Sequence, residues 1–259
     1  MEVRGIARRS VACVVVLIAL TAGSISVVGG GALAATIQDY VAQADELHRG
    51  RADASKAEAQ VRVLEEGLAA FPESYDILWR LARAYEFLGG VAAKEKKLPL
   101  FEKAKGYAER ATKANPDGLD GWYWYGLTIG RWGETRGILQ SLSMAGPMRD
   151  ALEKATRIDP GHAPSYHVLG VLYRELPGVI SFGNINKAIE YFEKAVSLNP
   201  DDIGLRLDTA KAFIKKKNYA KAREHLAYLL TLPNDPEYPA SDEASKEEAR
   251  KLLASIEGK

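Results

Sequence analysis

Apolar residues recur at three- and four-residue steps through most of this chain, and the same arrangement returns several times. At Tyr166, Leu169, Gly170 and Tyr173 the spacing puts four packing residues on one face of a helix. A second stripe follows at Ala188, Phe192 and Ala195, and the pair of helices closes at Pro200. Small residues such as Gly170 and Ala188 let two helix backbones approach, while Tyr166, Tyr173 and Phe192 fill the gaps between neighbours. Proline ends the unit because it cannot continue a helix.

Pro72, Pro116 and Pro160 close similar segments. Projecting the spacing gives Leu78, Leu81, Ala82 and Tyr85 after Pro72, and Trp122, Tyr125, Gly126 and Ile129 after Pro116. After Pro200 come Thr209, Ala210 and Phe213, then Ala222, Leu226 and Leu229, ending near Pro233. A degenerate first unit precedes Pro72, with helices predicted over residues 41–48 and 57–71. Two such halves and a terminal proline in a period of roughly 34 residues make a tetratricopeptide unit. The fold predicted is an all-α tetratricopeptide-like solenoid of about five helix pairs with insertions. A polar capping helix over residues 241–257, N-capped by Ser241, suits the exposed end of such a stack.

The closing prolines are not evenly spaced: the steps are 44, 44, 40 and, to Pro233, 33 residues. Extra residues therefore lie at 89–101, 130–147 and 176–186, as lengthened helices or as ordered loops folded over one face. Residues 176–183 read Leu-Pro-Gly-Val-Ile-Ser-Phe-Gly, apolar where a turn is usually polar, so this segment should cover the end of a groove or meet a partner or membrane surface.

Charge changes the picture little. The 259 residues are 47% hydrophobic and 27% charged, with 35 basic and 34 acidic side chains and a formal charge of +1, so no one-sign field points to nucleic acid. The short basic runs 94–97 and 215–217 read as solvated helix ends. Arg4, Arg8 and Arg9 precede an uncharged stretch over 10–36 with an apolar heart at 11–20, ending Ala32-Leu33-Ala34. Residues 1–34 thus read as a secretory signal cut after Ala34, with an uncleaved inner-membrane anchor as the alternative. Residues 35–259 form the repeat domain, placed in the periplasm or secreted. Cys13, the one cysteine, lies within the leader and cannot form an internal disulfide.

At Ala44-Asp45-Glu46-Leu47, Trp79-Arg80-Leu81-Ala82-Arg83-Ala84, Glu95-Lys96-Lys97 and Trp122-Tyr123 the chain resembles the regulator of microtubule dynamics family, over roughly residues 41–257. The likeness continues through Gly137-Ile138, Leu152 to Ala155, Leu169-Gly170, Ala188 to Pro200 and Tyr238-Pro239-Ala240. That resemblance implies a helical adaptor. Eukaryotic members of the family are linked with microtubules, and one with organelle contacts and lipid binding; this chain departs from them in its leader. It is also similar to the tetratricopeptide component that accompanies some bacterial solute transporters.

Carried over by spacing, the concave face receives Trp79, Arg80, Arg83, Tyr123, Trp124, Leu127, Arg131, His167, Val171, Arg174, Leu207 and Lys211. Of these, Trp79, Arg83, Tyr123, Trp124, Arg131, His167, Arg174 and Lys211 are the candidate ligand contacts. Only Trp122 and Tyr125 are needed for packing, so Tyr123 and Trp124 are surplus to the repeat. A ring supplies contact area and a guanidinium grips carboxylate or phosphate, which points to an anionic peptide or lipid head group. The alternative is that these rings pack under the insertions and that Arg80 and Arg83 pair with Glu86 or nearby acids along their own helix. With the groove reading, Arg83→Glu plus Trp124→Ala should weaken binding and leave folding intact.

Chemistry is not apparent. His48, His162, His167 and His225 show no metal-ligand spacing, and Walker, G-x-S-x-G and G-x-G-x-x-G patterns are missing. No catalytic residue, metal or cofactor is assigned. The sequence points to a non-catalytic scaffold for a protein or peptide in the cell envelope. A carrier for a lipid or other small amphipathic anionic ligand is the first alternative, and an accessory component of a solute transporter the second.

Overall fold

Helices follow one another in antiparallel pairs in a computed structural model that describes residues 35–178, 181–237 and 239–259. The pairs are α1 (Ile37–Arg49) with α2 (Ala54–Ala70), α3 (Tyr75–Val91) with α4 (Lys94–Ala114), and α5 (Leu119–Arg136) with α6 (Ile138–Ile158). Then come α7 (Ala163–Glu175) with α8 (Ile185–Leu198), α9 (Ile203–Lys215) with α10 (Tyr219–Thr231), and the single α11 (Pro239–Ser255). The leader and Cys13, together with Val179 and Ile180 of the apolar turn, lie outside the described residues.

Each closing proline falls one residue beyond a helix C-cap: Phe71, Asn115, Asp159 and Asn199 are the caps before Pro72, Pro116, Pro160 and Pro200. Side chains start several helices, with Asp53 accepting from the Ser55 N–H at 2.9 Å and Asp202 from the Leu205 N–H at 2.8 Å. The last helix begins at Pro239, two residues before Ser241, because proline suits the first helical position and its missing N–H has no partner to lose there. Ser241 therefore sits inside the first turn and does not cap it.

The repeat's small positions do what their spacing implies. A Cβ on Gly170 would stand 2.6 Å from the Phe192 ring, and one on Gly126 2.8 Å from Leu152. Ala82 and Ala210, at the matching places, are fully buried. Two of the insertions become helix: α4 and α6 each run 21 residues, carrying Pro99 and Pro147 inside them. Across the third, the Asn184 N–H donates to the Tyr173 carbonyl at 2.9 Å, and its last two residues begin α8.

First helices of successive pairs touch at α1–α3, α3–α5, α7–α9 and α9–α11, whereas second helices make no comparable contact with one another, so the odd set lines the inside of the curve. The buried apolar residues fall into two clusters. One centres on Leu64, Ile77, Leu78, Leu81 and Tyr85 across α1 to α4, the other on Phe192, Leu205, Phe213, Leu226 and Leu229 across α8 to α11. Ile129 and Leu152, which join α5 to α6, belong to neither. The core is interrupted in the middle of the stack.

Candidate functional site

Along the inner face the charged side chains form a ladder from each first helix to the next. Asp45 of α1 accepts from Arg80 at 2.9 Å and Arg83 at 2.6 Å on α3. Glu86 of α3 accepts from Arg131 of α5 at 3.2 Å. Asp208 of α9 accepts from His167 and Arg174 of α7, both at 2.9 Å, and Lys211 of α9 meets Glu248 of α11 at 2.9 Å. Every basic residue expected to face a ligand thus has an internal carboxylate partner. Arg80 and Arg83 both pair across helices with Asp45, which sits opposite them once α1 packs on α3; Arg80 also pairs along its own helix with Asp76 at 3.7 Å, while neither pairs with Glu86.

Burial and charge set the ionisation of this ladder. Burial works against the Asp45 carboxylate, yet hydrogen bonds from Arg80 and Arg83 outweigh it and hold the group below its ordinary range. Asp208 is likewise held low by His167 and Arg174 against the cost of burial. Glu86 goes the other way, pushed up by burial in spite of Arg131. The Tyr123 phenol is also pushed up by burial.

The aromatic candidates divide. Trp79 is 9% exposed, belongs to the core cluster, and carries Arg80 and Arg83 over its ring at 4.1 and 4.9 Å. Trp124 packs against the same cluster. Tyr123 stands edge-on to Trp124 at 5.1 Å and to His162, at the start of α7, at 4.9 Å. Of the apolar positions expected on this face, Leu207 is buried in the core, while Leu127 and Val171 remain half-buried.

Between α5 and α7 the ladder stops. No ion pair crosses this junction among the described residues, and the two helices pack less closely than any other successive pair of first helices. Tyr123 and His162 join their N-terminal ends. Further along, a seam of about 280 Å³ opens onto the inner face, lined by Leu127, Gly130, Met148, Val168 and Val171, with Arg131, Glu134, His167 and Asp208 at its mouth. It shares Gly130, Glu134, Met148 and Val171 with a larger apolar groove of about 440 Å³ on the edge between α6 and α7. Leu176 and Pro177 wall that edge groove and do not line the inner-face seam.

Met148 floors both spaces. It occupies the place, twelve residues before the closing proline, that fully buried Ala104 and Ala188 hold in the flanking repeats. There a flexible thioether side chain replaces alanine, lying against Gly130 and bordering the space between α5 and α7. Sequence reasoning passed over Met148; the departure from alanine in an otherwise small position was the available signal.

The profile of the family described as "Regulator of microtubule dynamics protein 1-3" matches residues 40–257. Regulator of microtubule dynamics protein 1 of Bos taurus is 29% identical over 250 residues, covering 86% of this chain and 73% of the relative. Regulator of microtubule dynamics protein 3 of Xenopus laevis is 26% identical over 213 residues, covering 74% and 44%. Among solved structures, a thermophilic TPR protein of Thermus thermophilus superposes with a TM-score of 0.59 at 17% identity, over 85% of this chain and 98% of the other. YrrB, described as a TPR protein with an unusual peptide-binding site, gives 0.50 at 15% identity, over 84% and 93%. These structural likenesses establish the tetratricopeptide fold.

Proposed function

The chain belongs to the regulator of microtubule dynamics family, and we propose that it is a non-catalytic scaffold that holds a protein or peptide segment along its inner face. An apolar side chain of that segment enters the α5–α7 seam. One observation carries this reading: the inner-face bases are already paired, whereas the seam is lined by the half-buried apolar side chains Leu127, Val168 and Met148. Burying an apolar anchor there gains roughly 25 cal/mol per Å² removed from water, while the flanking ion pairs fix register at little cost. The peptide-binding site of YrrB, on the same fold, supports a peptide as the occupant. The basic residues before an apolar leader ending Ala-Leu-Ala support a place in the cell envelope, periplasmic or anchored.

Photo-crosslinking in cells tests it, with benzoylphenylalanine in place of Leu127 or Val168 and, as control, Glu190 on α8. A discrete protein adduct from the two seam positions, lost when Met148→Glu is added, is the expected result. Equal labelling from Glu190, or none from the seam, removes the assignment. A second reading is favoured by the 440 Å³ groove, whose volume lies in the range of small-molecule sites and whose apolar walls suit an uncharged amphiphile. Native mass spectrometry showing a stoichiometric bound lipid would favour that carrier over the scaffold.

A further inference from the structure

The α5–α6 hairpin ends in a feature that the scaffold reading does not use. Gly137, at φ +101°, both ends α5 and starts α6, a backbone conformation that side chains rarely adopt. Directly after it stand Ile138 and Leu139, 80% and 86% exposed, the most exposed large apolar side chains among the described residues. The turn is held: the Gly137 N–H donates to the Glu134 carbonyl at 3.3 Å, and the Ser141 N–H to the Gly137 carbonyl at 2.9 Å. An apolar pair on a fixed turn is a presented knob. Arg136 stands exposed beside it, its guanidinium over the Trp132 ring at 5.0 Å and without a carboxylate partner among the described residues.

Next to the knob lies the 440 Å³ groove, walled by Leu142, Met144, Met148, Leu172 and Leu176. Its charged lining residues are both acidic, Glu134 and Glu175, each 63% exposed at the side chain. Each shares its arginine with another carboxylate: Arg131 serves Glu86 as well as Glu134, and Arg174 serves Asp208 as well as Glu175. The rim therefore carries more negative than positive charge. Knob and hole are complementary in kind: aliphatic with a free guanidinium on one side, apolar with surplus carboxylate on the other. Leu139 cannot serve its own groove, since Ile138 already forms that groove's rim and Leu139 remains outside it.

We propose that this edge binds a second copy of the chain, the Ile138–Leu139 knob of each protomer seated in the α6–α7 groove of the other. Because knob and hole share Gly137 and Ile138, both contacts fall in one patch about a two-fold axis, and the assembly closes as a dimer. The groove shares Gly130, Glu134, Met148 and Val171 with the inner-face seam, so partner binding is read separately, at Leu127 and Val168, which line the seam alone.

The experiment is light scattering after size exclusion on the full chain over a dilution series, in mild detergent. A dimer that dissociates on dilution is expected, weakened at least tenfold by Ile138→Ser with Leu139→Ser, with helical content and melting unchanged because both side chains already face solvent. Arg136→Glu should weaken the dimer, Glu175→Arg should weaken it too, and the two together should restore it; that rescue separates a docked interface from apolar stickiness. A monomer at every concentration overturns the proposal. So does a dimer indifferent to Ile138 and Leu139, which would place the contact elsewhere.

Discussion

Asp45 on the first helix accepts a 2.6 Å hydrogen bond from Arg83 on the third, although 38 residues separate them. Arg80 adds a second guanidinium to the same carboxylate at 2.9 Å. Asp45→Ala therefore leaves the largely covered Arg83 without its carboxylate and Arg80 with Asp76 alone, and unfastens α1; a loss of about 1–3 kcal/mol is expected in urea unfolding, discounted for the partial exposure of the group. Arg83→Glu with Trp124→Ala, which the sequence pattern marks as a binding-face change, is expected instead to lower the melting temperature. It sets a carboxylate against Asp45 and removes a ring from the core cluster. An unaltered melt would show that neither residue supports the fold.

Two glycines separate packing from propensity. Gly170→Ala drives a Cβ to 2.6 Å from the Phe192 ring, which is fully buried and cannot swing away, so a loss of about 1–3 kcal/mol is expected. Gly106 lies inside α4, where a Cβ would meet nothing within 4 Å. Gly106→Ala should raise stability by about 0.5–1 kcal/mol, read in the same unfolding experiment.

Lys217 ends α9 with φ +61°, in a turn where its N–H donates to the Ile214 carbonyl at 2.8 Å and the Asn218 N–H to the Phe213 carbonyl at 2.9 Å. That pattern is a Schellman cap, whose left-handed residue is usually glycine. Lys217→Gly relieves the steric cost of a Cβ there and should stabilise the chain by about 1 kcal/mol in thermal unfolding, since the exposed ammonium is not needed for the cap.

Acid should loosen the fold before its carboxylates titrate. His225 is 6% exposed and stacked on Phe213 at 5.5 Å; burial first, then Arg206, lowers its pKa to about 4. His48 is lowered to about 4 by burial and by Arg83 and Arg51. Unfolded histidine binds its proton near 6.5, so between about 6.5 and about 4 the unfolded chain carries more protons and stability falls as pH falls. Glu86 and Asp120, both raised by burial, act in the opposite sense, so the comparison needs a variant. His225→Gln should remove roughly 2 kcal/mol of the loss between about pH 7 and pH 5, measured by urea unfolding at each pH. An identical slope in the variant would exclude His225 as the source.

What could be read ahead of the structure was what neighbouring residues decide. Pro72, Pro116, Pro160 and Pro200 end helices through their own ring chemistry, and Gly170 with Phe192 form a close contact inside one repeat. The inner-face residues Trp79, Arg83, Tyr123, Trp124, Arg131, His167, Arg174 and Lys211 were placed by repeat spacing, but their partners were not. The carboxylate partners of Arg83, Arg131, His167 and Arg174 lie 34 to 45 residues away, about one repeat, on helices whose relative rotation no single repeat fixes.

The sequence by itself determined the helices, their pairing and the family, because helix periodicity, proline stops and small packing positions are local and recur. Tertiary structure alone decided which charges remain available and where the stack opens. Whether Arg131 meets Glu86 or a ligand depends on the approach of α3 to α5, and whether Met148 is buried or floors a seam depends on how far α7 stands from α5. Both are distances between separate repeats, summed from every contact in the stack, and no single position in the chain carries them.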